Sequence, residues 1–242
     1  MSVIVNKEQN AIFKLEEKEA FKQKAFNWTT RFDVLAYLDS NDYPEQIGKG
    51  QDCLIAVGME SQLLVKQDDT CDAFTQLQNF YEQKKDWLFG FLTYDLKNDV
   101  EKLSSKNYDG LAFPKLHFFQ PRYVLKITKN KVEIISKKEP AHQILEQILA
   151  TPLRPLLSNI FPKKPQLEAR ISKTDYLKTI HKIHDHLRKG DIYEMNFCQE
   201  FYVEDLYLVP ASLFEKFNKI SKAPFSTFYR FCLLYTSPSP RD

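Results

Sequence analysis

The sequence predicts an α+β protein, with antiparallel β-sheets packed in layers against outer helices. Three observations carry this. Helical and hairpin patterns are mixed along the chain instead of alternating strictly, which argues against a doubly wound parallel sheet. At 242 residues and 43% hydrophobic, the chain can bury a sizeable core as one large or two small domains. Nineteen Phe and twelve Tyr are too many for a solvated coil.

The elements follow in order. A short strand is expected near residues 11–15, then a helix over 17–28, where Phe21, Ala25 and Trp28 recur at helical spacing. Residues 31–38 read as a strand ending in the polar turn Asp39-Ser40-Asn41-Asp42. Residues 53–57 and 62–66 read as a hairpin around Gly58, and Phe74, Leu77 and Tyr81 mark a second helix. Residues 87–96 are expected to be a buried strand, with Gly90 admitting a close backbone. Two strands, 115–119 and 123–127, meet across Gln120-Pro121. A turn at 129–130 leads into a strand over 131–135, followed by a helix over 141–149. Four prolines between 151 and 166 mark the best internal boundary. Beyond it, Ser172 to Asp175 resembles a capping box, Tyr176, Ile180, Ile183 and Leu187 form one helical stripe, and Gly190 supplies the stop. Residues 191–202 are β-like, 210–220 helical and 224–231 β-like again.

Composition excludes several functions. Only six glycines are present, and neither a G-x-G-x-x-G nor a G-x-x-x-x-G-K-[ST] loop can be assembled, so those phosphate cradles are absent. The net charge is +2 with both signs interspersed, which reads as a solvated surface and not a nucleic-acid face. Four cysteines without C-x-x-C spacing and no secretory start suit free thiols in a reducing cytoplasm. The longest apolar stretch, 53–59, is far short of a membrane span.

Residues 232–242, Cys-Leu-Leu-Tyr-Thr-Ser-Pro-Ser-Pro-Arg-Asp, break with what precedes them and look like a translated transposase-type sequencing adapter. The expectation is 231 natural residues of a gene product truncated at its C-terminus.

Candidate chemistry is sparse. His181, His184 and His186 sit on one predicted helix and read first as solvated surface, with a metal as the sharper alternative. Cys198 reads as a small core residue within a strand. In the 191–196 strand, Glu194 and Asn196 share a face, either as the wet side of an edge strand or as a polar floor for an anionic or hydroxylated ligand.

Gly190-Asp-Ile-Tyr-Glu-Met-Asn196, with the helix from Tyr176 before it, resembles the element opening the chorismate-binding domain of the chorismate-utilising enzymes. Three further stretches match in order: Tyr37-Leu-Asp-Ser-Asn41, Trp87-Leu-Phe-Gly-Phe-Leu-Thr-Tyr-Asp-Leu96 and Ala223-Pro224-Phe225-Ser226. Within the family the sequence is most similar to component I of aminodeoxychorismate (para-aminobenzoate) synthase. Asn196 is characteristic of that branch, whereas anthranilate synthase component I usually carries an apolar residue there. Glu194 departs from the usual Gln.

The resemblance implies an anthranilate synthase component I-like fold. It divides the chain into an N-terminal accessory region (1–150), a Pro-rich linker (151–167), the incomplete start of the chorismate-binding catalytic domain (168–231) and the adapter tail (232–242). It implies amination of chorismate to 4-amino-4-deoxychorismate for para-aminobenzoate and folate, in the cytoplasm. Ammonia would come from a glutamine amidotransferase subunit, and Mg²⁺ would act in the full-length enzyme. Asp39, Ser40, Tyr94, Tyr193 and Asn196 are the expected ligand-binding residues. The branch's nucleophilic lysine lies in Pro-Ile-Lys-Gly-Thr, and no Lys-Gly-Thr occurs in the chain, so the chain alone is expected to be inactive. The rival readings are anthranilate synthase component I and a non-catalytic module with a ligand pocket near Asp39, Ser40 and Tyr94.

Overall fold

A computed structural model describes residues 3–5, 9–43, 52–70, 72–101, 103–104, 107–153, 165–204, 206 and 208–231. The tail at 232–242 and most of the Pro-rich linker lie outside the described residues. The chain divides into two compact units: Met1–Leu156 with Phe214–Asp242, and Leu157–Leu213.

In the first unit the elements run β1 Val3–Val5, β2 Asn10–Lys14, α1 Lys18–Trp28, β3 Leu35–Asp39, β4 Cys53–Val65, α2 Ala73–Lys84, β5 Phe89–Leu92, α3 Lys97–Val100, β6 Leu116–Ile127, β7 Lys131–Ser136 and α4 Ala141–Ala150. In the second unit, β8 Glu168–Ala169, α5 Lys173–Lys189 and β9 Phe201–Tyr202 follow. Helix α6 Pro210–Ile220 straddles the boundary, and β10 Ser226–Arg230 returns to the first unit.

All described strand pairs are antiparallel. The large sheet runs β1-β2-β7-β6-β4-β3-β10, with β5 beside β6. The fold is α+β, as expected. Strand alternation sends Leu35, Tyr37 and Asp39, with Ile55, Val57, Tyr123 and Leu125 across the ladder, to one face. Helices α1 and α4 cover that face. Phe26 meets Tyr37 edge-on at 4.9 Å, Trp28 meets Tyr123 at 5.8 Å, and the Trp28 indole donates to Gln147 Oε1 at 3.2 Å. Ile144 and Ile148 of α4 are fully buried. The opposite face carries Ala36, Ala56 and Val124, over which Phe89 and Phe119 pack.

Several local expectations are corrected. Residues 53–65 are one thirteen-residue strand and not a hairpin, and 116–127 are likewise one strand. The two pair along their length, with a register shift between Met59 and Ser61. Gly58, at φ +68°, and Pro121, opposite Met59, therefore sit at a bulge. A glycine takes the left-handed backbone there, and a proline's missing N–H costs least where the ladder is already interrupted. Only 89–92 of the 87–96 run is strand, and a 3-10 turn over Tyr94–Leu96 follows. Gly90 does admit a close backbone: a Cβ there would lie 2.1 Å from the His117 carbonyl oxygen.

In the second unit Ser172 accepts from the Asp175 amide at 3.1 Å and donates to its carboxylate at 2.7 Å, and Gly190 closes the helix at φ +78°. The run 191–202 is strand only at 201–202, because its partner β8 offers two residues for pairing and a strand needs a ladder. Without that ladder Cys198 is exposed and does not pack as a core residue.

Candidate functional site

The richest buried polar cluster in the first unit forms where β3 ends against α1. Asp39 (5% exposed) and Lys22 (6%) face each other, with the Lys22 ammonium 3.0 Å from Oδ1 and 2.9 Å from Oδ2. The Asn41 amide donates to Oδ1 at 3.0 Å, and the Tyr37 hydroxyl donates to Oδ2 at 3.1 Å. Each carboxylate oxygen thus accepts two hydrogen bonds, which is what a buried charge requires. Burial works against the Lys22 charge, yet Asp39, with smaller help from Cys53 and Glu19, holds its pKa above the usual lysine value. Burial pushes the Tyr37 hydroxyl well up, and the Cys53 thiol also rises, through burial and then the Asp39 charge.

The turn after β3 is tied down from the other side. Asn41 and Asn218 exchange amide hydrogen bonds at 2.9 and 3.0 Å, Asn41 also donates to the Ala223 carbonyl at 2.8 Å, and Ser226 donates to Asn218 Oδ1 at 2.6 Å. Asn41 and Asp42 take positive φ, 52° and 60°, as short polar side chains tolerate. Asp42 and Asp52 both receive Lys18. A cavity of about 230 Å³ opens beside this cluster, floored by Phe26, Tyr37 and Phe214 and rimmed by Glu19, Glu215, Lys219 and Lys222.

Of the expected ligand-binding residues, Asp39 lines this cavity. Ser40 points its hydroxyl to the Asp52 carbonyl at 3.0 Å. Tyr94 is 83% exposed, with the Lys97 ammonium 4.7 Å from its ring centre. Tyr193 (96% exposed) and Asn196, also exposed, belong to the second unit. Within the first unit, neither Ser40 nor Tyr94 is among the cavity's lining residues, so Asp39 alone of the three stands there.

Lys22 and Asn218 escaped the sequence reading, which placed Asn41 in a polar turn and Ser226 in a family-like stretch without giving either a binding role. Lys22 had one signal: it stands four residues before Phe26 and one after Phe21, on the margin of the apolar stripe of α1. Among the described residues no group of three or more His, Cys, Asp or Glu side chains could hold a metal ion. In the helix α5 cluster, His181 and His184 are exposed and His186 meets Asp191 at 2.7 Å. No helix among the described residues is long and apolar enough to cross a membrane.

The chain thus carries a large antiparallel sheet with helices α1 and α4 against one face and, later in sequence, the capped helix α5 followed by a Gly-Asp-x-Tyr segment. The family description "chorismate binding enzyme" matches residues 33–240, and the chain belongs to that family. Anthranilate synthase component 1 from Cereibacter sphaeroides is 24% identical over 162 residues, covering 60% of this chain and 32% of that protein. Among solved structures, the fold is similar to that of MenF, the menaquinone-specific isochorismate synthase from Escherichia coli, at a TM-score of 0.50 and 13% identity. That match covers 92% of this chain and 47% of MenF. The chain thus spans about a third and about half of these two proteins.

Proposed function

We propose that this chain is the N-terminal part of an aminodeoxychorismate synthase component I, which replaces the 4-hydroxyl of chorismate with an amino group. Family membership supports chorismate as the substrate. The observation that favours this branch is Asn196, in the segment after α5 where the anthranilate branch carries an apolar residue. Ammonia would come from a glutamine amidotransferase subunit, and Mg²⁺ would act in the full-length enzyme. A cytoplasmic setting suits the free thiols Cys53 and Cys198. The second reading is anthranilate synthase component I, favoured by the 24% identity to the Cereibacter sphaeroides protein.

The chain's own residues supply positioning. Asp39, Lys22 and Tyr37 fix the end of β3, and the Asn41–Asn218–Ser226 bonds fix the approach to β10. The test is a product assay on the protein encoded by the gene resequenced through the codon for Phe231, supplied with chorismate, Mg²⁺ and ammonium. 4-Amino-4-deoxychorismate is expected, and release of fluorescent anthranilate would overturn this reading in favour of the second. The 242-residue chain alone is expected to yield neither product.

A further inference from the structure

His117 is the one histidine among the described residues with no exposed surface, and it lies outside the cluster at Asp39. It stands on the first half of β6, opposite Leu64 of β4 and Phe91 of β5. Its Nδ1 lies 2.8 Å from the Tyr229 hydroxyl of β10, and its Nε2 lies 3.0 Å from Gln62 Oε1 of β4. Strands β6 and β10 are not neighbours, since β4 and β3 stand between them in the sheet. A side-chain bond joining them requires the bulged end of β4 and β6 to fold over the sheet. The small side chains Ala36 and Ala56 leave the room. The join is aromatic: His117 stacks on Phe231 at 4.8 Å, and Tyr229 meets Phe91 edge-on at 5.4 Å.

With the Gln62 amide oriented so that Oε1 faces the ring, that oxygen accepts, Nε2 carries the hydrogen, and Nδ1 accepts from the Tyr229 hydroxyl. Both nitrogens are satisfied in the neutral ring. Burial alone lowers the His117 pKa from 6.5 to about 4, so the neutral form prevails at ordinary pH. Tyr229 is the titratable group bonded to it, and Lys115, two residues earlier and just before β6, is paired with Asp99 at 2.8 Å.

We propose that Gln62, His117 and Tyr229 form a conformational latch that makes docking of β10 and folding-over of the β5–β6 end a single event. Because β10 continues directly from Ala223-Pro224-Phe225, the latch joins that segment to a strand three places away in the ladder.

Two measurements on the 242-residue chain test this. In ¹⁵N NMR, with the signal assigned through a His117→Asn variant, His117 is expected to carry hydrogen on Nε2 only and not to titrate between about pH 5.5 and 8. A hydrogen on Nδ1, or titration near 6.5, would overturn the assignment. In hydrogen exchange, Tyr229→Phe removes one hydroxyl and is expected to speed the amides of 226–230 and 89–92 together, by about tenfold, while those of 131–136 stay unchanged. Acceleration of one segment alone, of neither, or of all three equally would each refute the latch.

Discussion

Substituting Asp39 by Asn should cost the first unit about 3 to 4 kcal/mol, the lower part of the range for breaking one side of a buried ion pair. The magnitude follows from the hydrogen-bond directions. Oδ1 accepts from Lys22 and the Asn41 amide, while Oδ2 accepts from Lys22 and the Tyr37 hydroxyl. An amide must place its NH₂ at one of these positions, where it meets the Lys22 ammonium, and Lys22 keeps only the exposed Glu19 carboxylate, 3.8 Å away. Lys22→Met is gentler, at about 3 kcal/mol, because the carboxylate keeps two donors. Urea unfolding followed by far-ultraviolet circular dichroism should give a double variant whose cost is smaller than the sum by about 2 kcal/mol. The pH sets where the effect is read. A lysine whose folded pKa is raised contributes stability fully below its ordinary 10.5, and that contribution is lost as pH rises through the higher folded value. The full penalty is therefore expected at pH 7, and it shrinks in strong alkali. Single-variant costs below about 1 kcal/mol, or additivity within about 0.5 kcal/mol, would refute the reasoning.

Two other predictions rest on single positions. Gly58→Ala should destabilise by about 1 to 2 kcal/mol, because φ is +68° and the new Cβ would meet Arg122 Cβ at 3.0 Å; a melting temperature within one degree of the parent would count against it. Cys53, buried and with its pKa raised, should resist a thiol reagent in the folded chain, while the exposed Cys198 reacts promptly; peptide mapping after brief labelling reads both, and early modification of Cys53 would contradict its burial.

What the sequence disclosed is local. Helix α5 could be read at both ends because its signals lie within a turn of it: Ser172 with Asp175, and Gly190. Helices α1, α4 and α6 follow from apolar spacing in the same way. The bent strands β4 and β6 could not be read, because Gly58 and Pro121 are turn residues in isolation and become bulge residues only when the two strands pair. The run 191–202 erred in the other direction: β-like residues were present and a partner of matching length was not. Lys22 and His117 share one cause. Each is a polar residue at an inward position, and its partner lies 17 residues away for Lys22, and 112 and 55 residues away for His117. Asp39 was legible as a polar strand end, but its partners are set by tertiary structure.

The return of β10 changes how the family resemblance is understood for this chain. Read linearly, the prolines of 151–166 separate an accessory region from a catalytic one. In space, β10 pairs residue for residue with β3, from Ser226 opposite Asp39 to Arg230 opposite Leu35. The same short stretch of β3 is thus held on one side by α1 through Lys22 and on the other by β10, with Asn41 bonded to both Asn218 and Ala223. Arg230 adds two bonds to the carbonyls of Thr29 and Phe32, at 2.7 and 2.6 Å, at the start of that strand. An N-terminal piece cut at the linker would leave the edge of β3 bare and Asn41 without these partners, with the cost of an unprotected sheet edge. The large sheet and the Ala-Pro-Phe-Ser segment therefore belong to one compact unit, and a substitution at Asp39 or Asn41 should be felt at β10.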